Sequence, residues 1–145
     1  MRVVTPILRI ILLLMLVSPM VWGNGALKSV LDLTPSIYDV KGMGQWSMGS
    51  KSGQIRLVIT RDSKRDQVFL QWVVWRDNQP FRVESTVGIS ELNREDRYSV
   101  TFIRREADDS GRQIVLGLED RHTKEAMRAF IRIKEMGLYQ CHIQR

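Results

Sequence analysis

Apolar and polar residues alternate along most of this chain. Ile55, Leu57 and Ile59 alternate with Arg56, Val58 and Thr60. Phe81, Val83, Ser85 and Val87 do so with Arg82, Glu84 and Thr86, and Tyr98, Val100 and Phe102 with Ser99, Thr101 and Ile103. Ile114, Leu116 and Leu118 alternate with Val115, Gly117 and Glu119. A period of two, rich in β-branched and aromatic residues, predicts strands with one face in a core. Residues 68–75 form an apolar run broken only by Gln71, which predicts a strand that is apolar on both faces.

Residues 123–136 admit two readings. As a helix, Thr123 would cap it and Gly137 would end it. As a strand, Met127, Ala129, Ile131 and Ile133 alternate with Arg128, Phe130, Arg132 and Lys134. The run Phe-Ile-Arg-Ile-Lys favours the strand, with residues 134–137 turning into a last strand over 138–143.

The intervening segments are rich in turn formers: residues 61–66, then Asp77, Asn78 and Pro80, then Asp108, Asp109 and Gly111. Links this short join antiparallel neighbours, because a parallel crossover needs about a dozen residues or more. Residues 90–97 are the only longer polar link. The expected fold is all-β: a single small antiparallel barrel or sandwich of seven or eight strands in a meander.

The N-terminus follows another pattern. Arg2 and Arg9 are its only charges, residues 10–17 read IILLLMLV, Ser18 and Pro19 interrupt the run, and Val21 and Gly23 flank Trp22. A positive start, a short apolar run and small residues at its end make a secretory signal peptide over residues 1–23, with a second candidate cut after Ala26. As a retained anchor, residues 6–22 would reach only the lower limit of a membrane span and would carry Arg9 and two prolines. Residues 24–43 read as an arm that Pro35 interrupts, and residues 44–145 as the all-β domain. Cleavage leaves about 120 residues, enough to bury roughly two-thirds of the unfolded surface.

Composition narrows the chemistry. One Cys excludes an internal disulfide, and with two His it leaves no ligand set for structural zinc. Cys141 and His142 are adjacent, so in a strand they point to opposite faces and cannot form a dyad; Cys141 shares its face with Tyr139 and Ile143 and reads as core. His122 stands among Glu119, Asp120 and Glu125 in what reads as a solvated turn. Glu106, Asp108 and Asp109 lack the spacing of a calcium loop. No nucleophile elbow, metalloprotease helix motif, P-loop or dinucleotide fingerprint is present. The chain is therefore expected to be non-catalytic and without a cofactor; Glu119, Asp120 and His122 are the residues an enzymatic reading would use.

Two features point to binding. Residues 67–76 read QVFLQWVVWR, with Val68, Leu70, Trp72 and Val74 on one face and Phe69, Val73 and Trp75 on the other. The second face needs a cover: the arm over residues 27–40, or a partner protein held by Phe69, Val73 and Trp75. Gly44-Gln45-Trp46 resembles the opening motif of lipocalin-type barrels over those three residues. That resemblance implies a small apolar ligand in a barrel, with Trp46 and Trp72 lining the cavity, and a late arginine such as Arg128 or Arg132 against Trp46. The formal net charge is +6, and the arginines are interleaved with acidic residues, which is a solvated surface rather than a nucleic-acid stripe. The leading expectation is an exported, periplasmic or extracellular, non-catalytic module that binds another envelope or secreted protein, such as an assembly factor, an inhibitor or an immunity-type protein. The alternative is a carrier of a small apolar ligand. Membrane contact is expected only through an uncleaved signal segment.

Overall fold

A computed structural model describes residues 32–76, 81–94, 96–108 and 111–145. The signal segment and the first part of the arm lie outside the described residues. Eight strands follow one another: β1 (Ile37–Met48), β2 (Lys51–Arg61), β3 (Asp66–Val74), β4 (Arg82–Gly88), β5 (Tyr98–Asp108), β6 (Gly111–Asp120), β7 (Ala126–Glu135) and β8 (Leu138–Gln144). A single helical turn, α1 (Ser90–Asn93), stands between β4 and β5. The first four strands form one antiparallel sheet in chain order, and the last four form another. The predicted meander is present, as a sandwich: among the described residues, β4 does not pair with β5, nor β1 with β8, so no barrel closes. Residues 126–135 are strand, as their alternation predicts.

The inward rows make the core. Ile55, Leu57 and Ile59 of β2 and Val68, Leu70 and Trp72 of β3 meet Ile114, Leu116 and Leu118 of β6 and Met127, Ala129 and Ile131 of β7. These are the positions that alternation marked. Residues 37–43, assigned from sequence to the arm, form the first half of β1. Register shifts between Ile37 and Asp39 and between Gly42 and Gln45 break the period of two and hide this strand from pattern reading. Gly44 takes φ of 98° in the second shift, so Met43 and Trp46 both reach the core although three residues apart. The arm therefore does not lie across the outer face of β3 over residues 37–40. It is hydrogen-bonded along the edge of β2.

The crossing between the sheets is held by side chains that replace strand partners. Beyond Gly88 one backbone bond to β3 remains, from the Ile89 N–H to the Val68 carbonyl at 2.9 Å. Asn93 takes over: its Oδ1 accepts from the Val68 N–H at 2.7 Å, and its Nδ2 donates to the Val68 carbonyl at 2.9 Å. Ile89 and Leu92 enter the core on either side of that link, at 0% and 1% exposure. The Tyr139 hydroxyl of β8 accepts from the Ser90 N–H at 2.8 Å, tying the last strand to the same corner.

Gly53 is the tightest backbone position. A Cβ there would lie 1.8 Å from the Val73 carbonyl oxygen and 3.0 Å from the Trp46 indole nitrogen. That indole donates to the same carbonyl at 3.2 Å. Gly53→Ala is expected to force β2 and β3 apart and to cost about 3 kcal/mol, at the upper end of overpacking penalties. Gly49→Ala meets no atom within 4 Å and pays only for its φ of 60°, roughly 1 kcal/mol. Denaturant titration of the two variants measures the contrast.

Candidate functional site

The two ends of the sandwich differ in chemistry. One end carries the β2–β3 and β6–β7 turns and the start of β5. Two carboxylates are buried there, Asp66 at 2% exposure and Asp120 at 1%. Arg61 meets Asp66 with two bonds, at 2.9 and 2.7 Å, and Arg121 adds a third at 3.0 Å. The same Asp66 accepts from the Val100 N–H at 2.8 Å, while Arg61 donates to the Val100 carbonyl at 3.0 Å. The ion pair thus pairs with β5 as a strand would, and it joins the two sheets. Asp120 accepts from Arg97 at 2.7 Å and from the backbone N–H groups of His122 and Thr123 at 2.8 and 3.1 Å, which caps the β6–β7 turn.

These contacts fix the titration of both groups. Burial pushes the Asp66 carboxyl upward, but the hydrogen bonds from Arg61 and Val100 and the charges of Arg61 and Arg121 outweigh it and hold it below the usual range. Arg97, Thr123 and His122 hold Asp120 well below that range. Asp120 is thus an ionised structural cap with its oxygens occupied. Glu119 lies in the exposed pair with Lys124, and His122 is exposed in the turn. The structure does not assemble these three residues into an acid–base set. Among the described residues, no three carboxylate, thiol or imidazole groups come together as a metal site.

Cys141 sits where its face-mates predicted, packed with Tyr139 and Ile143 against the core. His142 is on the opposite face, its ring stacked on Phe130 at a centroid distance of 5.0 Å. Burial, with a smaller contribution from the Glu91 charge, raises the Cys141 thiol to about 12.

The other end, where β1 meets β2 and β7 meets β8, exposes apolar side chains beside charged ones. Of nine exposed large hydrophobic residues among the described ones, five stand at this end: Met48, Trp75, Phe81, Val83 and Leu138. Between the sheets a cleft of about 510 Å³ opens, lined by Trp46, Met48, Ile55, Trp72, Ile133 and Met136. Arg112, Lys134 and Glu135 complete its wall. The cleft brings Trp46 and Trp72 together, as the ligand reading expected. Trp72 is its floor at 1% exposure, and Trp46 lies nearer the surface at 8%. The arginine beside this cleft is Arg112, whose Nε would sit 3.5 Å from a Cβ at Gly44. Arg128 and Arg132 are on the outward row of β7 and do not reach it. Arg112 was legible: it stands two residues before Ile114, on the inward row of β6.

The partner face is more divided than the sequence suggested. Phe69, Val73 and Trp75 share the outer side of β3, but Gln71 stands between Phe69 and Val73. Gln71 accepts from Arg56 at 2.7 Å and donates to Thr86 at 3.2 Å, making a polar row across the sheet. Phe69 is half-buried and covers Gly88, where a Cβ would meet its ring at 3.6 Å. Val73 is only 6% exposed, opposite Val83. Trp75, at 42%, is the one of the three that offers a large free surface, and it belongs to the apolar end.

The chain matches no protein-family model, no curated protein and no solved structure. Function is therefore argued from these residues alone.

Two outcomes are expected. The depressed carboxylates contribute stability that is complete above their unfolded value near 4 and is lost as pH falls below it toward their folded values. Asp66→Asn should cost about 3 kcal/mol at neutral pH, as a buried pair broken on one side does. It should also flatten the acid limb of a stability–pH curve below about pH 4. Separately, Cys141 in the folded protein should alkylate at pH 8 at least roughly a hundredfold more slowly than in denaturant, because little thiolate is present. A mass-resolved iodoacetamide time course reads this directly.

Proposed function

We propose that this chain is an exported, non-catalytic binding module that engages another envelope or secreted protein through the apolar end of its sandwich. The observation that carries the reading is the exposure of Met48, Trp75, Phe81, Val83 and Leu138 near one set of turns, while the residues around Asp66 and Asp120 at the opposite end are charged and ion-paired. Contiguous exposed apolar surface is the usual mark of an interaction site, and Trp is enriched among the residues that dominate binding energy. The surface has moved from the Phe69/Val73/Trp75 face to the end where Trp75 stands. Export rests on the pattern of residues 1–23.

A second reading is supported by the cleft. Its volume of about 510 Å³ and its Trp46 and Trp72 lining suit a small apolar ligand. In that reading the protein is a carrier, and the exposed rim is the entrance.

Native mass spectrometry of the protein purified from its own compartment separates the two. A second polypeptide in stoichiometric amount supports the module, and its loss in Trp75→Ala and Phe81→Ala places the contact. Phe81→Ala should shift stability by less than about 1 kcal/mol, since that side chain is mostly exposed. A small adduct on a monomer, retained in both variants, transfers the function to the cleft.

A further inference from the structure

The inward row of β6 reads Arg112, Ile114, Leu116, Leu118 and Asp120. It begins and ends with a charge. Asp120 is met by Arg97 and by the turn that follows it. The Arg112 side chain is not met: among the described residues its guanidinium makes no hydrogen bond or ion pair, although it is half-buried and lines the cleft. The neighbouring carboxylates are otherwise placed. Glu106 accepts from Arg104 at 2.6 Å and from Gln113 at 3.1 Å, and Glu135 is exposed in the cleft wall beside Lys134. The Arg112 side chain lies over β1 at Gly44, where a Cβ would be in ordinary contact with its Nε at 3.5 Å. Arg112 thus lies against Gly44 and lines the cleft together with Trp46, Ile55, Ile133 and Met136.

We propose that the cleft binds a straight-chain carboxylic acid, with the carboxylate on Arg112 and the alkyl chain against Trp46, Ile55, Ile133 and Met136. The inference rests on the cleft reading above and names its ligand class. A guanidinium presents a planar fork that matches a carboxylate with two parallel hydrogen bonds, and its pairing gains strength where water is partly excluded. Arg112 and Lys134 against Glu135 leave the wall with one excess positive charge, complementary to a single anionic head. An apolar cleft with one convergent charge selects a ligand that has both parts.

The test uses micromolar dodecanoate and dodecanol, titrated against the protein while tryptophan emission is recorded. Saturable quenching by dodecanoate, at least tenfold tighter than by dodecanol, is the expected result. Arg112→Gln should weaken dodecanoate about tenfold, which corresponds to roughly 1.4 kcal/mol, and leave dodecanol unchanged. Arg112→Lys should retain part of the preference. Equal affinity for acid and alcohol, or dodecanoate binding indifferent to Arg112→Gln, overturns the assignment of Arg112 and leaves an apolar cleft. Failure of both probes to bind overturns the cleft reading itself. The acid-to-alcohol comparison in the unchanged protein decides the matter even where Arg112→Gln does not fold.

Discussion

A buried carboxylate must be partnered, and the partners Asp66 takes are what make two sheets into one sandwich. An eight-stranded meander interrupted after its fourth strand leaves backbone donors and acceptors with no strand to receive them. At Val100 those groups are met by Asp66 and Arg61, whose own pairing holds both in place. At Val68 the Asn93 amide receives the N–H, and the carbonyl accepts from both the Asn93 amide and the Ile89 backbone N–H. Each substitution exchanges a ladder hydrogen bond for a side-chain one, so the backbone remains satisfied while the chain changes sheets. Without Asp66 the core rows of β3 and β5 would still be apolar, but the Val100 N–H and the guanidinium groups of Arg61 and Arg121 would lose their shared acceptor at that corner.

Closing one end this way leaves the other free to stay open. The hairpin turns on the ion-paired side are capped by Asp62 and Asp120, which accept from backbone N–H groups within the turns. The opposite turns are marked by glycines at positive φ, Gly49, Gly111 and Gly137, and by exposed apolar residues. The Lys51–Glu84–Arg82 cluster is the charged group within the first sheet on that side, and it holds Glu84 down to about 2. It binds β2 to β4 and does not cross to the second sheet. The sheets are therefore latched by buried ion pairs at one end, while toward the other a cleft opens between β1 and β6–β7.

Much of this was legible because alternation is a local property. The inward residues of β2, β5, β6 and β7 could be read from neighbours two positions away. The start of β1 could not, since two bulges within twelve residues shift the face of Met43 relative to Trp46. The roles of Asp66 and Asp120 were hidden for a different reason. Their partners stand far along the chain: Arg121 is 55 residues from Asp66, and Arg97 is 23 from Asp120. Sequence proximity instead grouped Asp120 with Glu119 and His122, whereas Glu119 pairs outward with Lys124 and Asp120 accepts from the His122 backbone N–H. The apolar run over residues 68–75 was read correctly as two-faced, but the polar row through Gln71 depends on Arg56 and Thr86 in adjacent strands.

The two charges on the inner row of β6 put the whole molecule in one line. Both are placed by the same alternation that places Ile114, Leu116 and Leu118, and an inward charge is unfavourable unless something receives it. At the closed end the fold supplies the receiver, and the charge becomes part of the latch. At the open end Glu135 stands in the cleft wall, but no ion pair joins it to Arg112 among the described residues. Local departures from a self-consistent pattern concentrate where a protein meets something else. Arg112 is such a departure, on a strand whose other end shows how the fold accommodates a charge that it needs for itself.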